Sequence, residues 1–127
     1  NNKVVDAYEG WAYDNGTWYF YVKGEKATGW AWDGKNWYYM NDKGVMQTGW
    51  QMVNGKWYYL NSVGAMQTGW LLKEGKYYFL NADGSMAAGW VNSQGIWYYF
   101  DQQTGVMQTN TYVDDGRYVN AEGALVP

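Results

Sequence analysis

Aromatic and other apolar residues flank an Asn-Gly pair in residues 49–60, with polar side chains between them. An Asn-Gly pair between two aromatic-rich runs predicts a β-hairpin with a two-residue turn, because both turn residues tolerate a positive φ. That turn sets a register in which Trp50 faces Tyr59 and Met52 faces Trp57, so these four side chains share one side of the hairpin. One face of the predicted hairpin is therefore heavily aromatic.

The same pattern returns along most of the chain. Trp30, Trp50, Trp70 and Trp90 are each twenty residues apart, and each follows a Gly and precedes a turn and a second aromatic run. Because an isolated two-stranded hairpin is marginal in water, each unit must stack on copies of itself. We therefore predict an all-β fold, a solenoid of stacked β-hairpins.

The predicted organisation is a single repeat domain over residues 1–127. Residues 1–10 correspond to the tail of a preceding repeat, which predicts a chain that starts inside a longer array. The last unit departs from the pattern, because Asn110 and Thr111 replace Gly-Trp and its hairpin is shorter, as is common for terminal repeats. Five repeats are predicted at residues 11–29, 30–49, 50–69, 70–89 and 90–110, followed by an atypical terminal hairpin at residues 111–127.

Composition narrows the chemistry that these hairpins can support. Ten Trp and fourteen Tyr stand beside three Phe, so most rings carry a polar group suited to half-exposed positions. The absence of Cys and His removes disulfides, thiol nucleophiles, imidazole bases and nearly all zinc chemistry. A net charge of -3 disfavours nucleic acid and weakly favours cationic ligands. No apolar run is long enough to span a membrane, so membrane insertion is not expected.

The carboxylates give no catalytic or metal site. Most lie at predicted turns, where Asp, Asn, Gln and Ser interchange between repeats, and no two stand out as a pair held across a cleft. Asp114 and Asp115 fall short of the ligand set of a calcium loop and are interpreted as a solvated turn. The chain is therefore predicted to be neither an enzyme nor a metal or cofactor protein. The carboxylates considered are Asp14, Asp33, Asp42, Glu74, Asp83 and Asp101.

The repeated aromatic face is the candidate for function. Packing between hairpins accounts for some of these rings, but Leu, Val and Ile would fill a purely structural seam and are scarce here. Stacked aromatic rings bind either sugars or an organic cation, and each cation-π contact contributes roughly 0.5 to 2 kcal/mol. A quaternary ammonium fits best, because sugar hydroxyls need polar partners beside the rings and the predicted faces carry Met instead.

The repeated unit strongly resembles the choline-binding repeats of streptococcal, especially pneumococcal, surface proteins and phage lysins. It reads Gly-Trp, a Gly-containing turn, Trp-Tyr-Tyr, then Asn/Asp-x-x-Gly-x-Met-x-Thr-Gly-Trp, and it covers almost the whole chain. The resemblance implies a hairpin solenoid that binds choline or phosphocholine on teichoic and lipoteichoic acids and anchors a surface protein or hydrolase to the cell wall. It also implies a secreted protein at the bacterial cell surface, and it allows a homodimer through the C-terminal repeats.

In that family, a site combines two rings of one repeat with a Tyr of the next. Strand alternation selects the Tyr that shares the Trp face, and four methionines are candidates for either site walls or packing between repeats. The functional unit is thus the junction between repeats, and a single repeat should neither fold well nor bind. The predicted sites are Trp11, Trp18 and Tyr39; Trp30, Trp37 and Tyr59; Trp50, Trp57 and Phe79; Trp70, Tyr77 and Tyr99; and Trp90, Trp97 and Tyr118, with Met46, Met66, Met86 and Met107 as candidate walls.

Two other interpretations stay open. One is a sugar-binding array like the aromatic repeats of glucan-binding proteins, which generally lack the paired Trp of each unit here. The other is a structural spacer or dimerisation module, in which the terminal hairpin supplies an apolar contact. Any catalytic or adhesive module of the parent protein is expected outside these residues.

Overall fold

The structure is a computed structural model that describes residues 8–127. Most of the predicted tail of a preceding repeat lies outside the described residues. Within residues 8–127 every strand pairing is antiparallel and no helix occurs, which confirms the predicted all-β fold of stacked hairpins. The described residues accordingly include no helix long and apolar enough to cross a membrane.

The chain divides into two compact units, Asn1–Gln67 and Thr68–Pro127. The strands of the first unit are β1 Gly10–Asp14, β2 Thr17–Val22, β3 Glu25–Lys26, β4 Gly29–Trp32, β5 Trp37–Met40, β6 Gly49–Val53 and β7 Lys56–Leu60. Those of the second are β8 Gly69–Lys73, β9 Lys76–Leu80, β10 Gly89–Ser93, β11 Ile96–Phe100, β12 Thr111–Tyr112, β13 Tyr118–Val119 and β14 Leu125–Val126. In the first unit, β2 pairs with β1 on one side and with the short strand β3 on the other, and β4–β5 and β6–β7 form hairpins. In the second unit, β8–β9 and β10–β11 form hairpins, and the last three strands form one small sheet.

The tip of hairpin β6–β7 is the predicted two-residue turn. Asn54 and Gly55 have φ values of 51° and 83°, so both lie in the left-handed region that a type I′ turn requires. The pairing places Trp50 opposite Tyr59 and Met52 opposite Trp57, which confirms the predicted register. Hairpin β4–β5 differs, because a four-residue connection separates its last pair, Trp32 and Trp37.

In each unit, apolar side chains at the ends of the second strands of the hairpins are buried. Each makes an antiparallel bridge to the methionine in the segment that follows, as Met40 does with Met46. The Asn41 side chain closes the turn between them by accepting hydrogen bonds from the Lys43 and Val45 amides, both at 2.9 Å. These nearly or fully buried residues are Met40 and Leu60 in the first unit and Leu80 and Phe100 in the second.

Within each unit, the methionine segments attach a hairpin to its predecessor. The Met46 amide donates to the Trp18 carbonyl at 3.1 Å, whereas the next amide, of Gln47, donates to the Tyr39 carbonyl of its own hairpin at 2.8 Å. The Met46 side chain reaches forward to Gly64, where a Cβ would lie 2.6 Å from the methionine sulfur. Gly64 also has a φ of +87°, so both its backbone and its surroundings require glycine.

The terminal segment is a three-stranded sheet instead of a full hairpin. Strand β13 lies between β12 and β14, and Ala124 bridges to Tyr98 of the preceding hairpin. The β14 pairing was not predicted from the sequence. The repeat boundaries given above stay a prediction.

Candidate functional site

Each hairpin presents two different faces to its neighbours. In β4–β5, Trp30 lies opposite Tyr39, with their ring centroids 5.0 Å apart on the aromatic face. Tyr38 points to the other face, where it is buried together with Ala31. Successive side chains of a strand alternate between the two faces, so Tyr38 and Tyr39 cannot both meet the same neighbouring hairpin. Which of the two meets the preceding hairpin depends on how the hairpins stack.

The first cavity, named cavity A, lies between the first two hairpins. The Trp11 ring stands at 89° to the Trp18 ring, with centroids 6.1 Å apart, and at 77° to the Tyr38 ring at 4.6 Å. Met46 closes one side, and the cavity has a volume of about 340 Å3. Its lining residues, all in the described part of the chain, carry no charge. They are Trp11, Trp18, Tyr38, Met46, Ser62 and Val63.

The second cavity, named cavity B, has the same construction in the second unit. The Trp70 ring stands at 89° to Tyr77 at 6.0 Å and at 84° to Tyr98 at 4.8 Å. Met107 takes the place of Met46, and the volume is again about 340 Å3. The rim differs, because it carries a carboxylate. The lining residues are Trp70, Tyr77, Tyr98, Met107, Ala121 and Glu122.

The junction between the second and third hairpins repeats the arrangement of rings. Trp30 lies 4.9 Å from Tyr58, with the two planes at 70°. The Met66 amide donates to the Trp37 carbonyl at 2.8 Å, as the Met46 amide does to Trp18. The first and second predicted sites therefore have the same backbone attachment.

In three junctions the structure places a different tyrosine from the one predicted. Tyr39 and Tyr99 lie against Trp30 and Trp90 of their own hairpins, and Tyr59 lies against Trp50 in the same way. The prediction used alternation correctly within a hairpin. However, the Trp face of each of these hairpins is turned away from the preceding hairpin. A tyrosine on that face therefore cannot contact the Trp of the preceding hairpin. The rings that meet the preceding Trp are Tyr38, Tyr58 and Tyr98.

The third predicted site is divided between the two units. Trp50 and Trp57 lie 6.5 Å apart at 88° in the first unit. Phe79, in the second unit, packs against Trp70 of its own hairpin at 5.4 Å and against Phe100 at 6.3 Å. The grouping of Trp50, Trp57 and Phe79 stays a prediction.

The fifth predicted site has a different environment. Tyr118 lies 4.9 Å from Tyr112, whereas Val113 and Val119 pack with Trp90. The Arg117 guanidinium lies over the Trp90 ring, 5.7 Å from its centroid. A cationic side chain of the protein therefore occupies the position over this ring. Trp97 is 45% exposed.

Three of the four candidate methionines pack against a glycine of the following repeat. Met86 and Met107 stand where a side chain at Gly105 or Gly123 would have to lie, as Met46 does at Gly64. Met46 and Met107 also line cavities A and B. Their role as walls of a binding site stays a prediction.

Hydrogen-bond acceptors that were not predicted from the sequence hold the first Trp of three junctions. The indole Nε1 of Trp11 donates to Asp33 at 3.2 Å, and that of Trp70 donates to Ser93 at 3.1 Å. Trp90 donates in the same way to Asp115 at 3.0 Å. Each acceptor lies in the tip of the following hairpin. The sequence feature that could have predicted these bonds is a side-chain acceptor 22 to 25 residues after each Trp.

These contacts change the ionisation of the carboxylates involved. Partial burial opposes the ionisation of Asp33, but hydrogen bonds from the Asn36 and Lys35 amides and from Trp11 outweigh it and hold its pKa below the ordinary value. Burial raises the pKa of Tyr38, and the charge of Asp33 adds to that effect.

Asp114 and Asp115 lie in the predicted turn, yet they are more than a solvated turn. Asp114 accepts a hydrogen bond from the Tyr99 hydroxyl at 3.1 Å. The indole of Trp90 and then the Arg117 amide lower the pKa of Asp115. Asp101 has a lowered pKa through the amides of Thr104 and Gln103, as expected of a turn residue.

Comparison with known proteins identifies the repeat. The family model of the choline-binding repeat matches residues 27–61, 47–83 and 73–112. The chain belongs to the choline-binding repeat family. This confirms the resemblance drawn from the Gly-Trp and Trp-Tyr-Tyr spacing, and the family is one of binding repeats, not of catalytic domains. No curated protein matches the chain in sequence.

Solved structures of choline-binding repeats share its fold. Choline binding protein F from Streptococcus pneumoniae is 43% identical, with a TM-score of 0.86, over 94% of this chain and 41% of that one. The same protein in complex with ipratropium is 42% identical, with a TM-score of 0.87, over 94% and 39%. A multimodular pneumococcal cell wall endolysin from phage Cp-1, complexed with choline, is 32% identical, with a TM-score of 0.64, over 99% and 40%. The chain thus spans about two fifths of the length of these relatives.

Proposed function

We propose that this chain is a non-catalytic cell-wall-binding module that captures choline, free or as phosphocholine on teichoic and lipoteichoic acids, by cation-π interactions. The observation that carries the proposal is cavity A, in which three aromatic rings and a methionine enclose an uncharged space. A quaternary ammonium has no N–H to donate, so it needs ring faces and desolvation but no acceptor. Such a cavity suits it better than it suits a sugar, whose hydroxyls need partners.

The relatives support the same class of ligand. One was solved with ipratropium and another with choline, and both molecules contain a quaternary ammonium. Three ring contacts of about 1 kcal/mol each, with burial of the methyl groups, give a Kd on the order of millimolar per site. Weak sites of this kind bind a polymer tightly only when several act together. Anchoring of a larger secreted surface protein or hydrolase to the bacterial cell wall therefore follows from the repetition of the sites.

The test is a titration that separates charge from shape. Choline should change the Trp fluorescence and release the protein from a tertiary-amine resin. The control ligand is 3,3-dimethyl-1-butanol, which has the shape of choline without its charge and should bind far more weakly. Equal binding of the two ligands would contradict cation-π capture. No response to millimolar choline, together with retention on dextran, would favour the sugar-binding alternative.

A further inference from the structure

The rims of cavities A and B differ at two positions, Ser62 against Ala121 and Val63 against Glu122, and only the second changes the charge. In both, the rim is a turn that belongs to the repeat after the one that supplies the third ring. In cavity A, Asn61 Oδ1 accepts hydrogen bonds from the amides of Val63 at 3.0 Å and Ala65 at 2.9 Å. In cavity B, Asn120 Oδ1 accepts from the amides of Glu122 at 3.0 Å and Ala124 at 2.9 Å. The two turns thus have the same backbone hydrogen bonds, and Glu122 stands where cavity A has Val63.

The rings of cavity B attract a cation less strongly than those of cavity A, because Tyr77 replaces the larger Trp18 ring. A carboxylate at the rim adds a Coulomb attraction for an ammonium held by the rings. The same carboxylate repels a phosphate joined to that ammonium through two carbons, because so short a link keeps the phosphate close to the lining residues, among them Glu122. The side chain is exposed, so both effects are modest and are screened by salt.

We propose that Glu122 makes cavity B selective for choline over phosphocholine, whereas the uncharged rim of cavity A accepts both. This inference rests on the proposed function, since it concerns the ligand of the same sites. It adds that the repeats are not equivalent. Cavity B prefers a cation without a neighbouring phosphate, and cavity A also takes the phosphodiester-linked headgroup of a wall polymer.

A carboxylate also lies beside a ring of cavity A. Asp33 accepts hydrogen bonds from the Trp11 indole and from the amides of Lys35 and Asn36. It stands at the indole edge, outside the residues that line the cavity. The Asp33 carboxylate is held by these three donors, whereas Glu122 is itself one of the residues that line cavity B.

The experiment follows each cavity by its own indole proton. The Nε1–H signals of Trp11 and Trp70 are assigned by Phe substitution and then recorded by NMR during titration with choline and with phosphocholine, at low and high salt. The expected result is a ratio of Kd for phosphocholine to Kd for choline that is about two- to five-fold larger at Trp70 than at Trp11 at low salt, the size expected of an exposed charge pair. High salt should reduce the difference.

Two variants make the test reciprocal. Glu122→Gln should bring the ratio at Trp70 to that at Trp11, and Val63→Glu should give cavity A the ratio of cavity B. Unchanged dispersion of the other indole signals shows that each variant is folded. Equal ratios at the two sites in the unmodified chain, or a ratio at Trp70 that Glu122→Gln leaves unchanged, would overturn the inference. If choline moves neither signal, it is the proposed function that fails.

Discussion

The indole Nε1 of Trp11 donates a hydrogen bond of 3.2 Å to the carboxylate of Asp33, in the tip of the following hairpin. The bond holds a ring of cavity A by its edge and leaves the ring face open. Two backbone amides share the same carboxylate, so its negative charge is stabilised in the folded state. The same hydrogen bond therefore contributes to the stability of the fold and positions a ring that lines cavity A.

The first prediction concerns pH. Because folding lowers the pKa of Asp33, its contribution to stability is present above its ordinary pKa of 3.8 and is lost as the pH falls through the lower folded value. Asp33→Asn should lower the free energy of unfolding near pH 7, and the difference from the parent chain should shrink in acid. Urea unfolding at several pH values measures it, with Asp42→Asn in an exposed turn as the control. A constant difference at all pH values would contradict the assignment.

The second prediction concerns Gly64. Gly64→Ala places a Cβ against Met46 in addition to straining a positive φ, whereas Gly55→Ala meets no atom within 4 Å and isolates the φ effect. Gly55→Ala should cost about 1 kcal/mol, and Gly64→Ala about 1 to 3 kcal/mol more through overpacking. Gly64→Ala alone should also weaken choline binding at cavity A, because Met46 lines it. Denaturant unfolding and the Trp11 indole signal give the two readouts; equal destabilisation by both variants would count against the Met46 contact.

The third prediction separates two neighbouring tyrosines. Tyr38→Leu removes the third ring of cavity A and should weaken choline binding there by about 2- to 30-fold, which corresponds to roughly 0.5 to 2 kcal/mol. Tyr39→Leu removes a ring that pairs with Trp30 and should leave cavity A unchanged. The Trp11 indole titration measures both variants, with circular dichroism as the check on folding. A larger effect of Tyr39→Leu would restore the assignment made from the sequence.

The fourth prediction exchanges rings between the cavities. Tyr77→Trp should raise the affinity of cavity B for choline, since Trp gives the strongest cation-π attraction, and Trp18→Tyr should lower that of cavity A. Both side chains are partly exposed, at 43%, so neither exchange forces a new ring into the core. Titrations followed at Trp70 and Trp11 report the two sites separately. Changes in the same direction would argue against a contribution of ring size.

The fifth prediction compares the second junction with the last one. Trp37→Ala should remove or weaken one choline site without unfolding the chain, because Trp37 is exposed at the rim of its junction. Trp97→Ala should leave the number of bound choline molecules unchanged, since Arg117 already lies over Trp90 and valines replace the third ring. Calorimetric titration gives the stoichiometry of each. Loss of a site in Trp97→Ala would show that the last junction binds, and global unfolding of Trp37→Ala would assign that ring to packing.

The hairpins and their registers could be predicted because their determinants are local. Asn54 and Gly55 set the turn, and the turn sets every pair in its two strands. The choice between Tyr38 and Tyr39 was not local. It depends on which face of a hairpin contacts the preceding hairpin. The bond from the Met46 amide to the Trp18 carbonyl fixes that face, and strand alternation alone does not predict this bond.

The rim residues and the terminal junction were unpredictable for a related reason. Val63 reaches cavity A from a third repeat, and no pattern within one repeat or one junction indicates such a contact. At the terminus, the shorter connection places Val113 and Val119 against Trp90, where the other junctions have a tyrosine. Both contacts depend on how successive repeats stack on one another. A repeat pattern predicts that stacking only where the repeats have the same length and sequence.

Cavity B takes two rings from one hairpin, its third ring from the next and its rim from the turn at residues 121–122. A substitution in that turn would therefore alter a pocket whose principal tryptophan is Trp70, about fifty positions upstream in the sequence. Such a change would shift the ligand preference of the pocket while every ring pair stayed in place. A sequence change in one repeat thus tunes a pocket whose main rings belong to the repeat two positions earlier.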